Sequence, residues 1–397
     1  MMRFHLRLLP AVCVGVVWTA SWLPALHAKA SDRAEEEAAD ERILCEGLVP
    51  PGPVKPLVQA EIAGKDHLFI FDTGSRYPLL IDREIGPALG EMIREAGSKE
   101  HAQGSYALPE VRLGELSLPP AERPGVEIGM MKGTFGIQLD GIIGWPVLAG
   151  NTLYLDHDHN RFGIIRGDWR LSPDATSIPI LEEDNRPYLK LEMGGSVVKF
   201  LVDTGADSVV SFNDGEYDRL VEEGFIQAIG NNQKTLNSDG VHPVRNGVFL
   251  KGTLLGIDLK GLRVTTNPRV ENILGELLLM KLNVAMSRSA LRFAYEARKN
   301  PEAPVSTDLM LGIIFAYQGG HPTVLRLKGG GTGEAAGLEI GDVVSSIAEM
   351  GERPIHAITL NELCREKAGQ TIHLKITRNG APLEKEMKLP AAISAWN

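Results

Sequence analysis

The chain has 397 residues, 43% hydrophobic and 23% charged, a globular composition with room for two to three domains. Its net charge is −10, and residues 1–30 carry three cations (Arg3, Arg7, Lys29) and no acid, so the remainder stands at −10 − 3 = −13. A body this acidic argues against nucleic-acid backbones and anionic membrane surfaces as partners.

The N-terminus reads as an export signal. Arg3, His5 and Arg7 precede an apolar run from Leu8 to Leu26, and Ala28-Lys29-Ala30 fits a small-x-small cleavage site. Residues 1–30 are therefore expected to be a signal peptide, and the mature chain to be exported, either periplasmic or secreted. An uncleaved anchor is the alternative, although Pro10 and Pro24 leave little uninterrupted apolar length for a span. Residues 31–54, charged and then proline-rich, suit a flexible leader. Beyond the signal only Cys45 and Cys364 remain, without the spacing of a metal site. Neither a disulfide framework nor a structural zinc is expected.

From residue 55 an internal repeat appears at a fixed offset of 131. Pro56-Leu57-Val58, Gly64 and Phe69-Ile70-Phe71-Asp72-Thr73-Gly74-Ser75 recur as Pro187-Tyr188-Leu189, Gly195 and Phe200-Leu201-Val202-Asp203-Thr204-Gly205-Ala206. Ile142-Ile143-Gly144 maps to Ile273-Leu274-Gly275, Leu148 to Leu279, and Arg161-Phe162 to Arg292-Phe293. Each copy reads as β: apolar or alternating strands over 57–63 and 188–193, a glycine turn, then short apolar strands over 67–71 and 198–202 that end at an aspartate. Helices are expected over Asp82–Ala96, Gly215–Glu223 and Leu277–Leu282. The boundaries predicted are two similar β-rich lobes, 55–172 and 173–296.

Paired aspartates in matched loops point to hydrolysis by an activated water. Two close carboxylates cannot both ionise readily and share one proton. The ionised member can take a proton from water while the protonated one polarises a carbonyl and serves the leaving nitrogen. Asp72-Thr73-Gly74-Ser75 and Asp203-Thr204-Gly205-Ala206 resemble the active-site loops of pepsin-like and retroviral-type aspartic proteases. Ile142-Ile143-Gly144 and Ile273-Leu274-Gly275 resemble that family's second signature. The resemblance spans about 55–296 and implies a mainly β fold: two tandem retropepsin-like lobes in a pepsin-like bilobal arrangement, within one chain. It implies that Asp72 and Asp203 are the catalytic pair and that Thr73 and Thr204 bond across to the opposite loop. It implies that Gly74 and Gly205 permit the loop geometry, with Ser75 and Ala206 completing it. It also implies a flap, expected at His101–Ala107 with Gly104 as hinge and Tyr106 over the cleft, with Leu236–Val241 as the second copy's counterpart. Arg76-Tyr77-Pro78 departs from the family pattern beside the first loop.

Residues 297–306, polar with two prolines, read as a linker, and the pattern then changes. Leu311-Gly312-Ile313-Ile314-Phe315, Glu334-Ala335-Ala336-Gly337-Leu338, Gly341-Asp342-Val343, a helix over Thr359–Lys367 and the Asn379-Gly380 turn resemble a bacterial PDZ domain across 307–392. That resemblance implies an α/β domain that binds an extended peptide, with a carboxylate received at Leu311–Phe315. The run Gly329-Gly330-Gly331 reads as a flexible loop. Asp156-His157-Asp158-His159 reads as a polar turn before it reads as a metal site. The expectation from sequence is an aspartic endopeptidase that needs no metal or cofactor, is monomeric, and acts on exported proteins or peptides. The alternative is a non-catalytic peptide-binding scaffold with the same fold.

Overall fold

The computed structural model describes residues 43–50, 55–96, 103–237, 240–268, 271–299, 311–318 and 321–390. The expected signal peptide, most of the leader and residues 300–306 of the linker lie outside the described residues. The described residues are mainly β, with sheets of fifteen, eight and five strands and one two-stranded hairpin among them. Among the described residues no helix is long and apolar enough to cross a membrane.

Two tight hairpins start the architecture. Strand Leu57–Ile62 alternates between buried residues and the outward Gln59 and Glu61, as a half-buried strand does. Ala63 and Gly64, both at positive φ (52° and 77°), reverse the chain into strand Lys65–Asp72. Gly194 and Gly195 (61° and 72°) do the same between Arg186–Met193 and Ser196–Asp203. Two consecutive positive φ values give the turn twist that matches paired strands.

The repeat seen in sequence recurs in the backbone. Strands Lys65–Asp72, Gly141–Gly144, Asn151–Asp156 and Arg161–Arg166 return 131 residues later as Ser196–Asp203, Asn272–Gly275, Leu282–Ser287 and Arg292–Ala297. Equivalent strands also pair with each other. Asn151–Asp156 runs antiparallel to Leu282–Ser287, and on one rung Tyr154 faces Ala285, its own equivalent. A local two-fold axis therefore passes through that rung, and the fifteen-stranded sheet draws strands from both copies.

Both copies share one apolar core, which includes the fully buried Phe71, Trp145, Phe162, Phe200, Phe212 and Phe293. Residues 311–389 form a second core beneath an antiparallel five-stranded sheet in chain order. Its helix Ala357–Glu366 starts with a reciprocal cap: His356 accepts from the Thr359 amide, and the Thr359 hydroxyl accepts from the His356 amide. Buried Asp342 accepts two bonds from Arg378, at 2.7 and 2.8 Å, which ties the Gly341-Asp342-Val343 turn to the sheet.

A third, smaller core joins these bodies. Helix Gly129–Phe135 carries Phe135 against Ile358 of the C-terminal helix, and Ile128, Leu139 and Ile142 continue the same cluster. Gly136 ends that helix at φ 67° and lies against the Tyr317 ring; a Cβ there would stand 2.5 Å from ring carbons. Tyr317 belongs to Ile313–Gln318, the edge strand of the five-stranded sheet.

Four local expectations differ from the structure. Residues 82–96 form no long helix, because Gly86, Pro87 and Gly90 confine it to Gly86–Leu89, and Glu91–Ala96 then pairs as a strand with Gln103–Leu108. Part of the leader is not a tether: Ile43–Leu48 is a strand, with Leu44 and Cys45 buried, paired with Arg161–Arg166. Gly329-Gly330 makes a tight turn, closed by the Gly331 amide on the Lys328 carbonyl, that leads into helix Thr332–Ala335. Helix Gly129–Phe135, with glycines at 129 and 133, carries no periodic signal and was not expected.

Gly136→Ala is expected to lower the thermal midpoint, since it adds both a strained positive φ and a clash with Tyr317. Adding Tyr317→Ala should recover the clash part alone. A double-mutant cycle followed by calorimetry gives the coupling, expected at about 0.5–3 kcal/mol.

Candidate active site

Each aspartate sits where its strand ends. Asp72 is the last residue of Lys65–Asp72 and is on the same rung as Gly144 of the neighbouring parallel strand; Asp203 is likewise paired with Gly275. Glycine is required at both neighbours. A Cβ on Gly144 would stand 2.2 Å from the Tyr77 carbonyl, and one on Gly275 2.1 Å from the Ser208 carbonyl. The apolar-apolar-Gly strands thus back the aspartate loops.

The loops meet face to face. Gly74 donates its amide to Asp72 Oδ1 at 2.7 Å, and Gly205 donates to Asp203 Oδ1 at 2.8 Å. The Ser75 amide donates to the Asp72 carbonyl at 3.1 Å, and the Ala206 amide to the Asp203 carbonyl at 3.2 Å. A Cβ on Gly74 would stand 2.6 Å from the Asp203 carboxyl carbon, and one on Gly205 2.5 Å from that of Asp72. Each loop backbone is therefore pressed against the opposite carboxylate, which brings the two carboxyl groups together.

Thr73 and Thr204 lock this contact reciprocally. The Thr73 hydroxyl donates to the Val202 carbonyl at 2.7 Å and accepts from the Thr204 amide at 3.1 Å. The Thr204 hydroxyl donates to the Phe71 carbonyl at 2.8 Å and accepts from the Thr73 amide at 3.0 Å. Both threonines are fully buried, so all four bonds work away from water.

Electrostatics follow from this confinement. Burial raises the Asp72 carboxyl above its ordinary range, against bonds from Asp203 and the Gly74 amide. Burial and the Asp72 charge push Asp203 well above it. The pair titrates as a unit and retains one proton where an isolated carboxyl would have lost it. Lys55 opposes the rise at both members. Its side chain is 4% exposed and bonds Asp207, four residues after Asp203. Asp140 precedes strand Gly141–Gly144, and its amide bonds the Leu68 carbonyl on the strand that ends at Asp72. Burial alone would raise its carboxyl, but bonds from His67 (3.0 Å), Gln138 and the Leu68 amide hold it below the usual range.

The expected flap residues divide. Gly104 stands at φ 85° in strand Gln103–Leu108, next to the unmatched register of that hairpin, while His101 and Ala102 lie outside the described residues. Tyr106 does not stand over the cleft. It is 3% exposed in the large core with its ring against Gly86, because strand alternation turns residue 106 inward. Residues 236 and 237, then 240 and 241, end the two strands of the long hairpin Ile226–Asn237 and Gly240–Phe249; 238–239 lie outside the described residues.

In the C-terminal sheet Leu311 and Ile313 are fully buried and Phe315 nearly so, in that domain's own core. Ile314 is half-buried, and Gly312 takes φ 61° at the mouth of the strand. The Asp156–His159 run has its side chains committed to separate protein partners. Asp156 accepts from His159, His157 is buried between the Leu282 carbonyl and Glu276, and Asp158 accepts from Asn283. Among the described residues no group of His, Cys, Asp or Glu is arranged to hold a metal. Cys45 and Cys364 are free and buried, and burial pushes both thiols up to about 12. Two surface hollows, one lined by Asp214, Asp218 and Arg245 and one by Arg170 and Arg292, contain no residue of the aspartate loops.

Sequence reasoning missed Lys55, whose charge acts on the pair, its bond to Asp207, and the Arg76–Asp184 contact. Lys55 precedes the repeated Pro56 and is matched by Arg186 before Pro187, a correspondence that could have found it. Comparison with protein-family models and with curated proteins gives no match.

Two outcomes follow. A carboxyl raised in the fold stabilises it below its unfolded pKa and loses that contribution as pH rises through the folded value. Asp72→Asn and Asp203→Asn should therefore raise the thermal midpoint at neutral pH, with a gain that shrinks towards acid pH. Calorimetry against pH reads this, at roughly 2 °C or more per kcal/mol relieved. Thr73→Ala strands the buried Thr204 amide and Val202 carbonyl and is expected to cost about 1–3 kcal/mol, with Thr73→Ser costing much less, by denaturant unfolding.

Proposed function

We propose that the chain is an aspartic endopeptidase that cleaves peptide bonds with a water held between Asp72 and Asp203. The observation that carries this reading is the pair itself: two carboxyl groups, each pressed against the opposite loop, each fixed by its own loop amide and backed by a reciprocal threonine lock. The active-site loops resemble those of pepsin-like and retroviral-type aspartic proteases, and the duplicated strands suit two lobes that each supply one aspartate. Asp72 and Asp203 are each only partly buried as residues, beside fully buried Thr73 and Thr204.

The chemistry follows from the shared proton. The ionised member draws a proton from the water as the oxygen attacks the carbonyl carbon. The protonated member donates to the carbonyl oxygen, and the tetrahedral intermediate then expels the amine, which takes a proton from the pair. Water adds across the amide, so no metal, cofactor or covalent intermediate is required. Burial keeps the charges strong and their geometry fixed before substrate arrives. As pH rises and the last shared proton leaves, the acid function is lost, so cleavage should fall on the alkaline side.

The C-terminal sheet, which resembles a PDZ domain, would add a peptide strand beside Ile313–Gln318 and so recruit or gate substrate. Helix Gly129–Phe135 already packs against that strand and the C-terminal helix, so a peptide entering there competes with it. The export reading places the substrates among exported proteins and peptides.

The scaffold alternative is separated by one experiment. The protein is incubated with a mixed peptide library from about pH 3 to about pH 8, beside Asp72→Asn and Asp203→Asn. Cleavage by the unaltered chain should fall about 10²- to 10⁴-fold in each variant while both remain folded. No cleavage anywhere in that range would leave the scaffold reading standing.

A further inference from the structure

The local two-fold that exchanges Asp72 with Asp203 also exchanges the residue four positions beyond each: Arg76 and Asp207. It likewise exchanges Lys55 with Arg186. On one side the positions are complementary. Lys55 bonds Asp207 across the two copies, and the Lys55 charge is felt at both carboxylates of the pair. Residue 207 thus stands at the rim of the site, and residue 76 holds the equivalent place on the Asp72 side.

On that second side both positions are cationic, and the cations have separated. Arg186 turns away to grip Glu271 with two bonds, at 2.6 and 3.0 Å. Arg76 leans on Asp184 at 2.7 Å, an acid also shared at 3.7 Å with Arg186. The Arg76 and Asp184 side chains are 49% and 52% exposed. A pair so exposed is weak, so its guanidinium is readily taken over by a better-placed anion. A guanidinium offers a planar fork that binds a carboxylate through two parallel bonds. The opposite rim offers no such charge, because Lys55 and Asp207 satisfy each other.

Resting on the peptidase reading above, we propose that Arg76 is a specificity-determining residue that receives an aspartate or glutamate side chain of the bound peptide. The preferred substrates are then peptides with an acidic residue on one side of the scissile bond only, and the charge asymmetry of the two rims sets the direction in which they lie.

The test uses the full chain and matched peptides in which Glu, Gln or Lys is walked through the positions flanking one cleavable bond. At one position the unaltered protein should prefer Glu to Gln by about tenfold in kcat/KM, carried mainly by KM and weakened by added salt. Arg76→Gln should remove that preference, Arg76→Asp should turn it towards Lys, and Asp184→Asn should strengthen it by freeing the guanidinium. The thermal midpoint of each variant reports its folding. Equal cleavage of Glu and Gln peptides at every position, or a Glu preference that survives in Arg76→Asp, would overturn the inference and leave the peptidase reading intact. Absence of cleavage by the unaltered protein would overturn both.

Discussion

Two buried threonine hydroxyls hold the centre of this molecule together, each accepting from the other's backbone amide and donating to a carbonyl of the opposite copy. None of the four bonds lies within one copy. With the copies packed, losing either hydroxyl leaves an amide and a carbonyl without partners in a site closed to water, which is costly for every group left unpaired. The lock therefore makes the contact between Asp72 and Asp203 a condition of folding. It also sets their separation with less freedom than the carboxylates would choose for themselves.

That arrangement carries a standing electrostatic cost. Two acids buried against each other resist ionisation, and the fold is poorer by that resistance at neutral pH. Lys55 reduces the cost without removing it, because Asp207 already engages its ammonium group. A pair of this kind suits proton transfer, since one member stays protonated where an isolated carboxyl would have ionised and can act as acid while the other acts as base.

How much of this could be read in the sequence depended on repetition. The 131-residue offset located both aspartates, both supporting glycines and the strands around them, because a duplicated site leaves two correlated signals. The reciprocity of Thr73 and Thr204 followed from resemblance and is present in the bonds. Features without a second copy were poorly legible. Tyr106 looked available for a flap, but strand alternation buries it against Gly86, and only the pairing of that hairpin reveals which way it faces. Helix Gly129–Phe135 carries two glycines and little periodicity, so its stability comes from packing rather than propensity. The charges around the pair were hidden for another reason. Lys55, Asp184 and Asp207 are ordinary surface residue types, and their meaning lies in partners far away in sequence, Lys55 with Asp207 and Asp184 with Arg76.

That glycine-bearing helix also ties the C-terminal sheet to the site. Phe135 and Leu139 share a core with Ile358 of the C-terminal helix, while Ile142 of the same segment packs with Ile70. Two residues later Gly144 stands on the rung of Asp72, with no space for even one carbon between itself and the Tyr77 carbonyl. Close-packed interiors do not deform continuously, so this segment cannot follow the C-terminal sheet without strain at its other end. Asp140 pins the middle of the run to His67 and the Leu68 amide, on the strand that ends at Asp72. The C-terminal sheet is therefore packed onto a short, rigid piece of chain whose far end is part of the backing of the first aspartate, and its docking and the geometry of that loop share one set of contacts.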